Sequence, residues 1–285
     1  MNDLNLKTYS SAVEFLEMMQ TILERREEEN NLMLGVALRL QANHLAYKNP
    51  PYLATVADNE KVELAATMTP PFPLLLFSER ENPDSALQML ALDLYQNGWQ
   101  VPRVLSKPAL SLEFARIWAS VSGRKYRDGM RERIYTLKQV IPPPSVSGHF
   151  RPASLDDTEL VSQWYHDFQR EALPDNAASD ARDIGKARLV NGDIFLWEDA
   201  GKVVSLAVKA RTTRHGCCLA PVYTPPEYRG RGYASNCVAA LSQYLLDTGY
   251  QFTCLFTDLS NPISNSIYMK VGYTPLIDFH EYIFE

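Results

Sequence analysis

The chain is poor in cysteine, has no excess of basic residues and contains no long apolar run. Only four cysteines, Cys217, Cys218, Cys237 and Cys254, occur in 285 residues. Their spacing fits no metal motif, and so sparse a set argues against a disulfide framework. Cys218 and Cys254 lie in apolar runs, where a buried reduced thiol is the usual state. No apolar stretch approaches the ~20 residues of a transmembrane helix. The opening Met1-Asn2-Asp3-Leu4-Asn5-Leu6-Lys7 lacks the charged-then-apolar layout of a secretory signal. These absences predict a cytoplasmic protein with no membrane partner and no metal. Net charge is −6; residues 1–148 carry 16 basic and 17 acidic groups, and residues 149–285 carry 12 and 17. Neither half has the basic surplus of a nucleic-acid binder. A hydrophobic content of 46% with 22% charged residues is that of a globular chain, long enough for two ordinary domains.

What is present centres on Val222-Tyr223-Thr224-Pro225-Pro226-Glu227-Tyr228-Arg229-Gly230-Arg231-Gly232-Tyr233-Ala234. The preceding run, residues 217–223, reads as a strand. Ala234, Val238, Leu241 and Leu245 recur at spacings of four, three and four, one face of a helix. The glycines therefore fall in a strand-to-helix turn. Backbone N–H groups and the positive end of a helix dipole meet there and attract an anion. Glycine permits close approach and positive φ. A lone Gly-x-Gly is by itself only a tight turn; flanking arginines and a later Asn/Tyr cluster add to it.

Together these residues resemble the acetyl-CoA-binding signature of the GNAT superfamily of N-acetyltransferases. There an Arg/Gln-x-x-Gly-x-Gly/Ala turn cradles the cofactor pyrophosphate; Arg229, Gly232 and Ala234 match it, with Gly230 as an additional glycine. The resemblance implies contacts from the turn (Arg229, Gly230, Arg231, Gly232, Tyr233, Ala234) and from the main chain of Val222, Tyr223 and Thr224. In Asn261-Pro262-Ile263-Ser264-Asn265-Ser266-Ile267-Tyr268, it implies that Tyr268 protonates the leaving CoA thiolate and that Asn265 contacts the cofactor. Asn261 is either a contact or a helix cap. No general base is evident: Glu171, Glu227 and His215 remain open alternatives, as does a water chain.

The first half, 1–141, reads as helix over 11–40, strands over 52–56, 62–68 and 74–77, helices over 86–97 and 114–121, and a strand over 134–137. The charge run 24–29 reads as a solvated face. Three landmarks echo the second half in the same order. Met68-Thr69-Pro70-Pro71 parallels Tyr223-Thr224-Pro225-Pro226. Asn97-Gly98-Trp99 parallels Thr248-Gly249-Tyr250. Residues 115–123 parallel 265–272, with Trp118 at the place of Tyr268. No glycine turn follows Pro71. This half is expected to be a degenerate GNAT-like domain, fitting the family's element order less closely than residues 149–285. Residues 142–148, rich in proline, read as a stiff linker.

The second half reads as strand 149–153, helix 156–169, a polar stretch 174–183, helix 181–191, a hairpin over 193–208, the central strand, turn and helix, a strand over 252–257, a helix from Asn261 to Gly272, and a final strand. The expected fold is α+β, with a central mixed sheet flanked by helices in two GNAT-like domains. The expected activity is transfer of an acetyl group from acetyl-CoA to a primary amine of a small molecule. A homodimer is compatible with it. The alternatives are a non-catalytic acyl-CoA-binding or regulatory module and an aminoacyl-tRNA-using transferase. Acidic charge counts against the latter.

Overall fold

A computed structural model describes residues 4–59, 61–80, 82–172 and 181–285. The expected polar stretch 174–183 falls largely outside these. Contacts divide the chain into two compact units. One comprises residues 1–134, 258–260 and 276–285; the other comprises 135–257 and 261–275. The units thus follow packing rather than chain order, and residues 142–148 lie inside the second instead of between two domains.

The first unit contains β1 (Leu4–Thr8), α1 (Ala12–Glu24), α2 (Glu27–Ala42), β2 (Tyr52–Asp58), β3 (Lys61–Met68), β4 (Leu74–Phe77), α3 (Asp84–Gln96), β5 (Arg103–Ser106), α4 (Pro108–Ser122) and most of β6 (Tyr126–Leu137). The second holds β7 (His149–Pro152), α5 (Thr158–Ala172), α6 (Ala181–Val190), β8 (Ile194–Asp199), β9 (Lys202–Thr212), β10 (Gly216–Tyr223), α7 (Tyr233–Asp247), β11 (Phe252–Asp258) and α8 (Pro262–Val271). The last strand, β12 (Thr274–Phe284), starts in the second unit and continues in the first. There its Tyr282 pairs with Val104 of β5, antiparallel. The order β-α-α-β-β-β-α-β-α-β occurs twice, so the first half follows it as closely as the second, contrary to expectation. Both units are α+β, with a mixed sheet flanked by helices.

Several expected elements change. The helix over 11–40 is two helices. The chain breaks at Arg25–Arg26, and the Asn30 amide holds the break by donating to the Leu23 carbonyl at 3.0 Å. Periodicity ran through the break because both helices bury the same kind of stripe: Phe15, Leu16, Met19 and Leu23, then Met33, Leu34, Ala37 and Leu40. The charge run is not wholly solvated, since Glu27 is buried. Strands β1 and β5 escaped notice because they are short, and the first part of β6 because it is charged. Its Arg133 makes a two-pronged bond to Asp278 of β12 at 2.6 and 2.8 Å.

The internal repeat also shifts. The counterpart of β10 is β4, which runs parallel to β5 as β10 does to β11. The counterpart of the glycine turn is therefore the segment after β4, not Thr69-Pro70-Pro71, which follows β3. It contains no glycine, and a polar network fills it. The Ser78 hydroxyl donates to the Glu63 carbonyl at 2.7 Å, and Arg80 pairs with the buried Glu63 carboxylate at 2.5 Å. The pairing of α4 with α8 holds: both end at a left-handed glycine, Gly123 and Gly272, and Trp118 is buried in the first unit's core.

In the second unit, α7 and α8 cover one face of the sheet through Cys237, Val238, Leu241, Tyr268 and Val271. Helices α5 and α6 cover the other through Val161, Trp164, Tyr165 and Leu189. Gly216 begins β10 directly opposite Phe252, and a Cβ there would overlap the Phe252 ring. Gly216→Ala is expected to lower stability by about 1–3 kcal/mol, read from the urea midpoint at unchanged slope.

Candidate functional site

Strands β10 and β11 pair in parallel at only three positions, Gly216↔Phe252, Cys217↔Thr253 and Cys218↔Cys254, and then part. On its other edge β10 stays with β9 through two register shifts. One extra residue, Ala210, lies between the pairs Arg211↔Cys218 and Lys209↔Leu219. The segment Ala220-Pro221 then gives β10 one more residue than β9 before Val222↔Ala207. Proline cannot donate to a ladder, which suits it to such an interruption. The result is a fork whose vertex is Cys218/Cys254. Its mouth opens toward the glycine turn after β10 and the start of α8 after β11.

At the mouth, Gly230 and Gly232 take left-handed φ of +76° and +83°. No atom lies within 4 Å of where a Gly230 side chain would begin, whereas at Gly232 it would meet Val146 Cγ1 at 2.9 Å. Helix α7 starts at Tyr233 with no side chain capping it and no acidic residue in its first turn. Its first N–H groups have no partner within the helix, and the dipole's positive end lies there. Tyr233 and Ser147 donate hydrogen bonds to Asp199 at 2.5 and 2.9 Å and hold its carboxyl below the usual range. Asn236 donates to the Pro144 carbonyl at 3.1 Å. The proline-rich segment, expected as a spacer, is thus packed along the turn's flank. Sequence reasoning missed Val146, Ser147 and Asp199, because nothing in their spacing announces that they meet α7.

Arg229 is not left open for a phosphate. Its guanidinium donates to the Thr224 carbonyl at 2.8 Å and to Glu171 at 2.5 Å. The Tyr223 hydroxyl donates to the other Glu171 oxygen at 3.0 Å; burial first, then Glu171, pushes Tyr223 up to about 12. Both oxygens of Glu171 are engaged, so this geometry does not favour it as a base. Thr224 shares a hydrogen bond with Ser205 at 2.8 Å. Val222 is half-buried, Arg231 is exposed, and Glu227 is exposed on the short helical turn Pro226–Tyr228. His215 precedes β10 on the closed side of the fork, beyond the paired residues, and so lies away from the mouth.

Tyr268 is buried beside Leu255 and Tyr273, its ring edge-on to Tyr273 at 6.0 Å. Its hydroxyl makes no hydrogen bond among the described residues. Burial, with a lesser effect of the nearby Cys218, pushes it up to about 12. Asn261 caps α8 by accepting from the Ser264 N–H at 3.1 Å, and the Asn265 amide donates to the Asn261 carbonyl at 2.8 Å. The side-chain bonds of both asparagines shown here thus serve the helix start. The arrangement offers an anion cradle at the turn, an unpaired strand edge inside the fork, and a protonated phenol near the vertex.

The acetyltransferase (GNAT) family model matches residues 158–273. No curated protein matches the chain. Among solved structures, a Drosophila protein is similar over 98% of both chains, at 12% identity and a TM-score of 0.69. A GCN5-related N-acetyltransferase from Sphaerobacter thermophilus is similar over 98% of this chain and 94% of its own, at 13% identity and 0.65. A tandem GNAT protein from the clavulanic acid biosynthesis pathway is similar over 99% and 98%, at 13% identity and 0.58. At these identities the likeness is one of fold.

The two glycines should respond differently. Gly232→Ala combines a left-handed φ with the Val146 contact and is expected to cost about 1–3 kcal/mol. Gly230→Asn, with open space and a residue tolerant of that φ, should shift the thermal midpoint by no more than a degree or two, on the order of a few tenths of a kcal/mol.

Proposed function

We propose that this chain acetylates a primary amine of a small molecule, using acetyl-CoA; the match of residues 158–273 to the acetyltransferase (GNAT) family model supports acyl transfer. The observation that carries this reading is the fork between β10 and β11, with an uncapped glycine turn at its mouth and Tyr268 near its vertex. The first N–H groups of α7, together with Gly230, would hold the pyrophosphate. The open edge of β10 beyond Cys218 has backbone groups to pair with the amide-bearing pantetheine arm, and a strand N–H there can polarise a carbonyl. When bound, acetyl-CoA supplies the activated carbonyl.

The amine nitrogen forms a bond to that carbonyl carbon as the carbon–sulfur bond breaks; nitrogen loses one proton and sulfur gains one. A phenol near 12 keeps its proton throughout the neutral range. Complete transfer from it to a thiolate of ordinary affinity, about 8.5, would be uphill by about 5 kcal/mol. Tyr268 is therefore best read as hydrogen-bonding the departing sulfur and giving up its proton to it only as the proton leaving nitrogen replaces it, in one concerted relay. This reading modifies a free-standing general acid. The first unit, whose counterpart of the glycine turn is filled by Glu63, Ser78 and Arg80, is proposed to hold no CoA.

Because Glu171 is tied to Arg229 and Tyr223, a non-catalytic acyl-CoA-binding module is the second reading. Release of CoA thiol with a panel of amines decides between them; acetyl-CoA binding without release would favour the module. Tyr268→Phe is expected to retain acetyl-CoA affinity by calorimetry and lose roughly 10- to 100-fold in turnover, the worth of a hydrogen bond to a charged group. In the unmodified protein, Tyr268 should produce no loss of turnover between pH 7 and about 10, since it deprotonates only above that range. Gly230→Asp should weaken acetyl-CoA binding far more than Gly230→Asn, because only the former sets a negative charge in the cradle.

A further inference from the structure

At the vertex of the fork, three directly paired residues stand in a row on one face of the sheet: Arg211 of β9, Cys218 of β10 and Cys254 of β11. Cys217 belongs to the cluster under α7, so its neighbour Cys218 and the whole row face the other way, toward the α5 and α6 side. The extra residue Ala210 puts Arg211 there; without it Arg211 would share the face of Lys209. The Arg211 guanidinium donates to Cys218 Sγ at 3.0 Å and lies over the Phe256 ring at 5.2 Å. Its Nε is sealed from solvent without a hydrogen-bond partner. Among the described residues no carboxylate pairs with it. A thiol is a weak acceptor, and a partly buried cation without a counter-charge is costly. The hydrogen bond from Cys254 first, and Arg211 to a smaller extent, draw the Cys218 thiol down against the opposing effect of burial.

We propose that Arg211 anchors an anionic group of the amine acceptor, so that the preferred acceptor is a short amino acid or similar amine bearing an oxyanion a few bonds from its nitrogen. The inference rests on the acetyltransferase reading above. Tyr268 lies under the α7 and α8 face and Arg211 on the opposite face of the same fork, so an acceptor arriving from the α5 and α6 side meets the guanidinium beside the reacting carbonyl. With Nε sealed and one N–H given to Cys218, the remaining donors are at the Nη end. They can offer two N–H groups side by side to one oxyanion. Proximity to the vertex limits the spacing between anion and amine.

The test compares ω-amino acids of increasing length, and their aminoalkyl phosphonate analogues, with alkylamines of the same length in CoA-thiol release. The unmodified protein is expected to favour short anionic amines by at least 10-fold in kcat/KM. The carboxylate and phosphonate arms tell which oxyanion is accepted. Arg211→Met should remove that preference, with acetyl-CoA affinity by calorimetry and turnover of neutral amines unchanged. Arg211→Lys, which keeps charge but loses the paired donors, should fall between. Equal losses on anionic and neutral amines in both variants, or a preference for neutral amines in the unmodified protein, would overturn the anchor while leaving acetyl transfer intact. Acetyl-CoA binding without CoA release for any amine would overturn both.

Discussion

The separation of β10 from β11 after Cys218 and Cys254 is the constraint on which the site depends. Two parallel strands that stayed paired would satisfy each other's N–H and C=O groups and leave no room between them. Here an added residue on β9 and another on β10 keep those two strands together while β10 turns away from β11. The separation leaves an unpaired strand edge that an extended ligand can complete. Phe252 packed over Gly216 fixes where the pairing begins, and the vertex follows two residues later.

Much of the side-chain charge near the mouth is already paired. Arg229, the motif's most conspicuous cation, is neutralised by Glu171 and held to the Thr224 carbonyl. Asp199, which would repel an anion, is drawn into hydrogen bonds with Tyr233 and Ser147. What remains is the uncapped start of α7, the open space at Gly230 and the exposed Arg231. An anion bound there would satisfy N–H groups that otherwise face water, with no need for a mobile side chain to be ordered.

One element order carries different turns in the two units. After β10 the chain crosses to its helix through two left-handed glycines; after β4 it crosses through Ser78 and Arg80, which close over the buried Glu63. On the later helix the same contrast recurs between Tyr268 and Trp118. Trp118 fills core space against Phe114 and Phe284.

Much of this was written in local pattern. The turn, the helix that follows it, the capping Asn261, the C-terminal Gly272 and the reduced, buried cysteines depend on neighbours within a few residues, and the α+β class follows from their order. Local pattern misled where two helices shared one periodicity, at Arg25–Arg26, and where short matching words, Thr69-Pro70-Pro71 and Thr224-Pro225-Pro226, fell after non-equivalent strands. Tertiary structure alone decided that Glu171 meets Arg229, that residues 144–147 brace α7, that β12 completes the first unit, and that Arg211 stands beside Cys218 and Cys254. Those relations join residues far apart in the chain, through strand register and side-chain direction. A single inserted residue such as Ala210 reverses which face a side chain occupies, and no local spacing in the sequence reveals that it has done so.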